Sequence, residues 1–270
     1  MLGVLFTEKN TGGKLLKNVE EIHFANASGE KLWGRLFRPN ARTQTCVIVC
    51  HGFAGKSNSK NKIGWATAMR RELGAAVLAF DFSGCGKSQG EFRKTSLSKQ
   101  VGDLECAIEF ALKKGFTKIA LVGHSFGGIV SIVEAGIGKY RKEVFAIAAI
   151  ATPYFIHKYP DVLFDKKKAR EWPKAGVIEF KDGRFGYTLN YSFKKDQKKY
   201  DFERIVKNMC VPTLVIHGTS DKIVPVLEGK MIYACTNCSK ELILIRFATH
   251  SLKEHRKEVT QALCNFFSRF

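Results

Sequence analysis

Short, fully apolar runs alternate with segments of helical spacing along most of this chain, and that alternation restricts the fold more than any other feature. A run such as Thr45–Cys50 (TCVIVC) has no polar face, so a strand built from it must be covered on both sides. Comparable strands are expected at 19–25, 31–38, 75–80, 118–122, 144–151, 211–216 and 241–247. Helical spacing falls at 63–73, 96–114, 126–137, 226–234 and 252–267. In the second of these the apolar positions Val101, Leu104, Ile108, Ala111 and Leu112 share a face, and Gly115 is placed to end the helix. Eight strands joined largely through helices imply an α/β fold: a mostly parallel eight-stranded sheet flanked by helices.

The alternation stops after Pro153. From Tyr154 to Asn208 the chain is polar and Lys-rich, with interspersed aromatics and a turn-like Lys181-Asp182-Gly183-Arg184. The periodicity then resumes. The organisation expected is a core domain made of 1–153 and 209–270, carrying an inserted lid at 154–208 after the sixth strand. At 270 residues the chain has enough apolar surface for one large α/β domain.

No apolar run reaches the roughly 18–20 residues of a membrane helix, and 144–156 is interrupted by Thr152 and Pro153. The leading MLGVLFTEKN lacks a basic flank and has only a short apolar stretch, which reads against a signal peptide. Eight cysteines in such a chain are expected to be reduced thiols in the cytoplasm rather than a disulfide framework. Cys46 and Cys50 belong to a strand, and the lone pair Cys235/Cys238 lacks a second pair of zinc ligands. The 44 Lys+Arg exceed the 25 Asp+Glu to give a net charge of +19. Local clusters stand at Lys166-Lys167-Lys168-Arg170 and Lys194-Lys195-Lys198-Lys199, with no zinc finger, RNA-binding signature or basic zipper beside them. They read as solvated surface, without a nucleic-acid partner. Their position in the insertion predicts at most a weak attraction of anionic substrates.

Gly123-His124-Ser125-Phe126-Gly127 has the form GxSxG. In a chain with 24 glycines the motif alone is weak; its setting makes it strong, because an apolar strand enters it and an apolar helix leaves it. A strand–turn–helix elbow lifts Ser125 off the sheet as a candidate nucleophile, with a helix N-terminus ready for developing negative charge. A serine needs a base, and the base needs an orienting acid. Of seven histidines, His250 stands in the loop after the last strand. His255 is expected inside the final helix, His124 in the elbow and His217 at a strand end, with His23 and His157 in the first strand and the insertion. Asp221 follows the strand 211–216 and is the candidate acid; Asp161, after the preceding strand, is the competing position. The amides of Phe126 and of Phe53, in the loop after 45–50, are the candidate oxyanion donors.

Taken together, HGFAG (51–55), DFSGCGKSQG (81–90), GHSFGG (123–128), HGTSDKIVP (217–225) and ATHS (248–251) resemble the α/β-hydrolase superfamily. Within it they are similar to the group of monoacylglycerol-lipase-like, serine-aminopeptidase-like and cinnamoyl (feruloyl) esterase-like hydrolases. The resemblance runs from about residue 20 to the end. It implies a serine carboxylesterase acting on a small-molecule ester through Ser125, Asp221 and His250, with Phe53 and Phe126 at the oxyanion site and no metal or organic cofactor. It also implies a structural role for 81–90 and a compact lid. The aromatics Tyr154, Phe155, Phe164, Trp172, Phe180, Phe185, Tyr187 and Tyr191 are then expected to line the pocket, to hold the lid in place, or both. Peptidase, thioesterase and carbon–carbon bond hydrolase activities remain open on the same triad, as does a non-catalytic basic binding module.

Overall fold

The computed structural model describes residues 18–183 and 185–270. The MLGVLFTEKN stretch and Arg184 of the expected turn lie outside the described residues. In chain order the elements are β1 (Val19–Ala25), β2 (Lys31–Phe37), β3 (Thr45–Cys50), α1 (Lys60–Glu72), β4 (Ala76–Phe80), α2 (Leu97–Lys113), β5 (Lys118–His124), α3 (Phe126–Ile137) and β6 (Val144–Ile150). They continue with α4 (Lys166–Ala175), β7 (Val177–Asp182), β8 (Phe185–Asn190), α5 (Ser192–Gln197) and α6 (Phe202–Asn208). The chain closes with β9 (Thr213–Gly218), α7 (Val226–Cys235), β10 (Lys240–Ile245) and α8 (Arg256–Phe267).

Eight strands form one sheet in the order β1-β2-β4-β3-β5-β6-β9-β10, in which β2 alone runs against its neighbours. Alternation along each strand sends side chains to opposite faces. In β5, Ile119 and Leu121 join Ile48, Leu78 and Ile147 beneath α2 and α3. Ala120 and Val122 face the other way, with Val47, Val77 and Leu214, beneath α1 and α8. Both faces are therefore apolar, and the strands carry no polar alternation. Ser96 caps α2 by accepting from the Lys99 amide at 3.0 Å, and Gly115 follows its end at φ +89°. No helix among the described residues is long and apolar enough to cross a membrane. The eight cysteines are free thiols.

β6 and β9 pair directly, so the segment between them leaves the sheet and returns without interrupting it. That segment is more regular than its composition indicates. β7 and β8 form an antiparallel hairpin around Gly183, and Asp165 caps α4 by accepting from the amides of Lys167 and Lys168. Trp172 is buried and its Nε1 donates to the Leu189 carbonyl at 3.1 Å, tying α4 to the hairpin. Asp196 of α5 accepts from the amide and hydroxyl of Ser98 at 2.8 and 2.7 Å, fastening the segment to α2.

Several boundaries differ from the sequence expectation, and two of them flank the loop that carries His250. β10 stops at Ile245, because Phe247 takes φ +60° and turns the chain outward. The last helix begins at Arg256 rather than 252, because Leu252 sits at φ +48°, which a helix does not accommodate. His255 is accordingly the N-cap of α8 rather than an interior residue, and its ring meets Glu258 at 2.8 Å.

Candidate active site

β5 hands the chain to α3 through one residue, Ser125, at φ 54° and ψ −120°. A non-glycine residue is held in such a conformation, at about 1–3 kcal/mol, only where its surroundings dictate it. Here they do. The Ser125 amide donates to the Ile150 carbonyl at 2.8 Å, and a Cβ at Gly123 would lie 2.3 Å from the Gly127 carbonyl oxygen. At Gly127 a Cβ would fall 2.5 Å from the carbonyl oxygens of both Cys50 and His51, backbone atoms that cannot swing aside. Gly127→Ala is therefore expected to lower unfolding stability by about 3 kcal/mol, the upper end of overpacking costs. A urea midpoint unchanged from wild type would show that the elbow has slack.

The turn aims Ser125 at His250. His250 Nε2 lies 3.0 Å from Ser125 Oγ, and His250 Nδ1 lies 2.8 Å from Asp221 Oδ2. Asp221 stands in the loop after β9, and its Oδ1 accepts from the amides of Ile223 and Val224, each at 2.9 Å. Burial would raise the carboxyl of Asp221. The hydrogen bonds from His217, His250 and the Val224 amide outweigh it and hold the group well below the usual carboxylate range. An ionised Asp221 only accepts, so Nδ1 of His250 carries the proton and Nε2 is left to receive one from Ser125.

The other expected residues gather around this line. Gly52 brings the loop after β3, which carries Phe53, against the elbow, a Cβ there falling 3.2 Å from Ser125 Cβ. Phe126 is the first residue of α3, where amides have no intrahelical acceptor. His124 Nε2 donates to the His250 carbonyl at 3.0 Å and fixes the backbone of the histidine loop. Burial, with Lys62 and His250 alongside, holds His124 well below the usual imidazole range, so it stays uncharged. Asp161 is far from this cluster in role: it pairs with Lys194 at 3.0 Å within the insertion.

Three contributors escape the sequence reading. His217, buried at the end of β9, donates from Nε2 to the Val224 carbonyl at 2.9 Å and reaches Asp221 Oδ2 at 3.4 Å, supporting that carboxylate from behind. Its spacing of four residues from Asp221 was the available signal. His51 is also buried; its Nε2 accepts from the Phe82 amide at 3.0 Å, and its Nδ1 donates to the Gly52 carbonyl at 2.8 Å. That pair braces the loop bearing Phe53. The third, Lys62, is a wall residue.

Ser125 and His250 open into a cavity of about 710 Å³, whose other walls include Tyr159, Leu163, Phe180, Phe185 and Tyr187 from the insertion. The expected aromatics thus divide. Phe180, Phe185 and Tyr187 line the cavity, whereas Phe164 and Trp172 pack edge-on at 5.5 Å and Tyr154 packs on Phe202, holding the insertion together. The basic clusters stand apart from the cavity walls. Lys166, Lys167 and Lys168 are exposed on α4 outside the cavity walls, and Lys194 and Lys199 are paired with Asp161 and Asp196. Among the described residues no three His, Cys, Asp or Glu side chains are grouped as metal ligands.

The sheet order, the elbow and the helices on both faces define the α/β-hydrolase class. The family profile described as serine aminopeptidase, S33 matches residues 41–201, and the chain belongs to that family. It is 24% identical over 211 residues to the mitochondrial palmitoyl-protein thioesterase ABHD10 of Rattus norvegicus, covering 77% of this chain and 69% of that one. With the monoglyceride lipase of the same species it shares 29% identity, across 89% of this chain and 86% of the other. Est1E from Butyrivibrio proteoclasticus, solved with ferulic acid bound, superposes at a TM-score of 0.80 with 25% identity, covering 91% and 97% of the two chains. The chain is an α/β-hydrolase of the esterase, lipase and thioesterase type.

Proposed function

We propose that this chain hydrolyses carboxylic esters of small molecules through an acyl-enzyme, with Ser125 as nucleophile, His250 as general base and Asp221 as its orienting acid. The observation that carries the reading is the hydrogen-bonded line from Asp221 through His250 to Ser125, ending at an open cavity. Ser125 Oγ attacks the ester carbonyl as its proton passes to His250 Nε2. The amides of Phe53 and Phe126 receive the oxyanion. The C–O bond breaks as His250 returns the proton to the leaving alcohol. Water, deprotonated by the same nitrogen, then attacks the acyl carbon and releases the acid.

The inserted segment 154–208 is the lid of this reading, and 1–153 with 209–270 is the catalytic core. Tyr187 joins the two parts, its hydroxyl donating to the Ala54 carbonyl at 3.3 Å. Free thiols favour a reducing compartment such as the cytoplasm.

Thioester cleavage is the second reading, favoured by the palmitoyl-protein thioesterase among the relatives. A fluorophosphonate probe should label the protein, and a panel of p-nitrophenyl esters, acyl-CoA thioesters and aminoacyl amides should show the esters turned over best. Labelling with thioesters leading would favour the second reading. Absent labelling, together with salt-dependent binding to nucleic acid or anionic lipid, would replace both with a binding module.

A further inference from the structure

One cavity-wall residue has no place in acyl transfer. Lys62, the third residue of the 13-residue helix α1, is only 7% exposed, yet it lines the cavity alongside His124 and Ser125. Among the described residues no carboxylate lies within ion-pair distance of its ammonium, and no hydrogen bond from Nζ is found. Its one charged-group contact is with a ring: Nζ sits 5.1 Å from the centroid of Trp65. The first turn of α1 carries no acidic residue, so Lys62 also stands at the positive end of the helix dipole.

A buried, uncompensated ammonium is costly to a fold. Burial draws Lys62 down to about 8, which still leaves it largely charged at neutral pH. The rest of the cavity wall offers no relief. Among the described residues it includes Lys56, Lys87 and Lys181 but a single carboxylate, Asp81, whose two oxygens accept from the amides of Ser57 at 2.6 Å and Lys87 at 2.9 Å. Lys87 is itself engaged, 3.5 Å from Glu21 and over Trp33, and Lys56 lies over the ring of Phe185. A cation left without a counterion in a cavity wall fits a ligand that brings one.

We infer that Lys62 is a specificity-determining residue, and that the substrates this cavity prefers are esters carrying a second, anionic group, a carboxylate or a phosphate, which the Lys62 ammonium and the N-terminus of α1 receive. The inference rests on the proposed ester hydrolysis and names its substrate class. An anion there gains a charge-assisted hydrogen bond, whereas a neutral substrate leaves the ammonium unpaired.

The test compares pairs that differ only in that charge. On the acyl side, the 4-nitrophenyl monoester of glutarate is set against its methyl-capped diester; on the alcohol side, 4-acetoxybenzoate and acetoxyphenyl phosphate against 4-acetoxybenzoate methyl ester. Wild type should favour the anionic member of at least one pair by about 30-fold in kcat/KM, most of it in KM, as expected of a hydrogen bond to a buried charge. Which pair responds tells where the anion sits, and which anion leads separates carboxylate from phosphate. Lys62→Met, which keeps the apolar stem and removes the charge, should bring the ratio close to one, and Lys62→Arg should restore part of it. Because the quantity read is a ratio within each protein, any loss of folded enzyme cancels. Lys166/Lys167/Lys168→Gln, outside the cavity walls, should keep the wild-type ratio. Turnover of the neutral esters without preference in any pair would overturn this inference and leave the esterase reading standing. A preference that survives Lys62→Met would overturn it as well. No turnover of any ester, with no fluorophosphonate labelling, would instead bring down the esterase reading and this inference with it.

Discussion

Replacing Ser125 with alanine is expected to lower kcat for every ester substrate by about 10⁵- to 10⁶-fold, the scale seen when a catalytic serine is removed from a preassembled triad. The fold should not register the change. Ser125 Oγ has one hydrogen-bond partner, His250 Nε2, and the turn is held by the backbone, through the Ser125 amide on Ile150 and the close approach of Gly127 to Cys50 and His51. Alanine must adopt the same φ of 54° as serine, so the strain is unchanged. The unfolding midpoint should therefore match wild type while fluorophosphonate labelling disappears. His250→Ala should lose a similar amount, and the double variant should be scarcely worse, because the two groups act in one proton transfer. A Ser125→Ala enzyme within tenfold of wild type, or losses that add in the double variant, would remove Ser125 from the chemistry.

What the sequence made legible follows from how local each determinant is. The elbow could be read because its parts are adjacent: an apolar strand, small residues at 123 and 127, and an apolar helix. The sheet's buried strands were legible for a similar reason, since TCVIVC or VFAIAAI has no polar face to expose. Asp221 and His250 could be placed at strand ends, but their 2.8 Å contact is a product of β9 and β10 lying side by side in register. The insertion was poorly legible because tertiary contacts order it. Its helix α4 is rich in lysine and holds Pro173, and what secures it is one buried indole, Trp172, on the Leu189 carbonyl. The burial of Lys62 escaped notice for the same reason. Three residues into a helix, a lysine normally reaches solvent; here the cavity walls enclose it.

Asp221→Asn is expected to reduce kcat by about 10⁴-fold, because the geometry dictates how the amide must sit. Oδ1 accepts from the amides of Ile223 and Val224, so the carbonyl oxygen of an asparagine has to occupy that position. Its NH₂ then takes the place of Oδ2, 2.8 Å from His250 Nδ1, and donates where the carboxylate accepts. His250 is forced to carry its proton on Nε2, facing Ser125 Oγ, and cannot act as base toward it. Asp161→Asn, which loses only an ion pair to Lys194, should stay within about twofold, as partly exposed pairs contribute little. A second readout separates orientation from folding. The carboxyl of Asp221 is held below its ordinary value, so its contribution to stability is fully present above the unfolded value of about 4 and is lost as pH falls through the folded one. The difference in melting temperature between wild type and Asp221→Asn should thus be constant near neutrality and shrink as pH drops below about 4. An active Asp221→Asn beside an inactive Asp161→Asn would move the acid onto the insertion, and a melting difference that grows in acid would reverse the sign of the carboxylate's role.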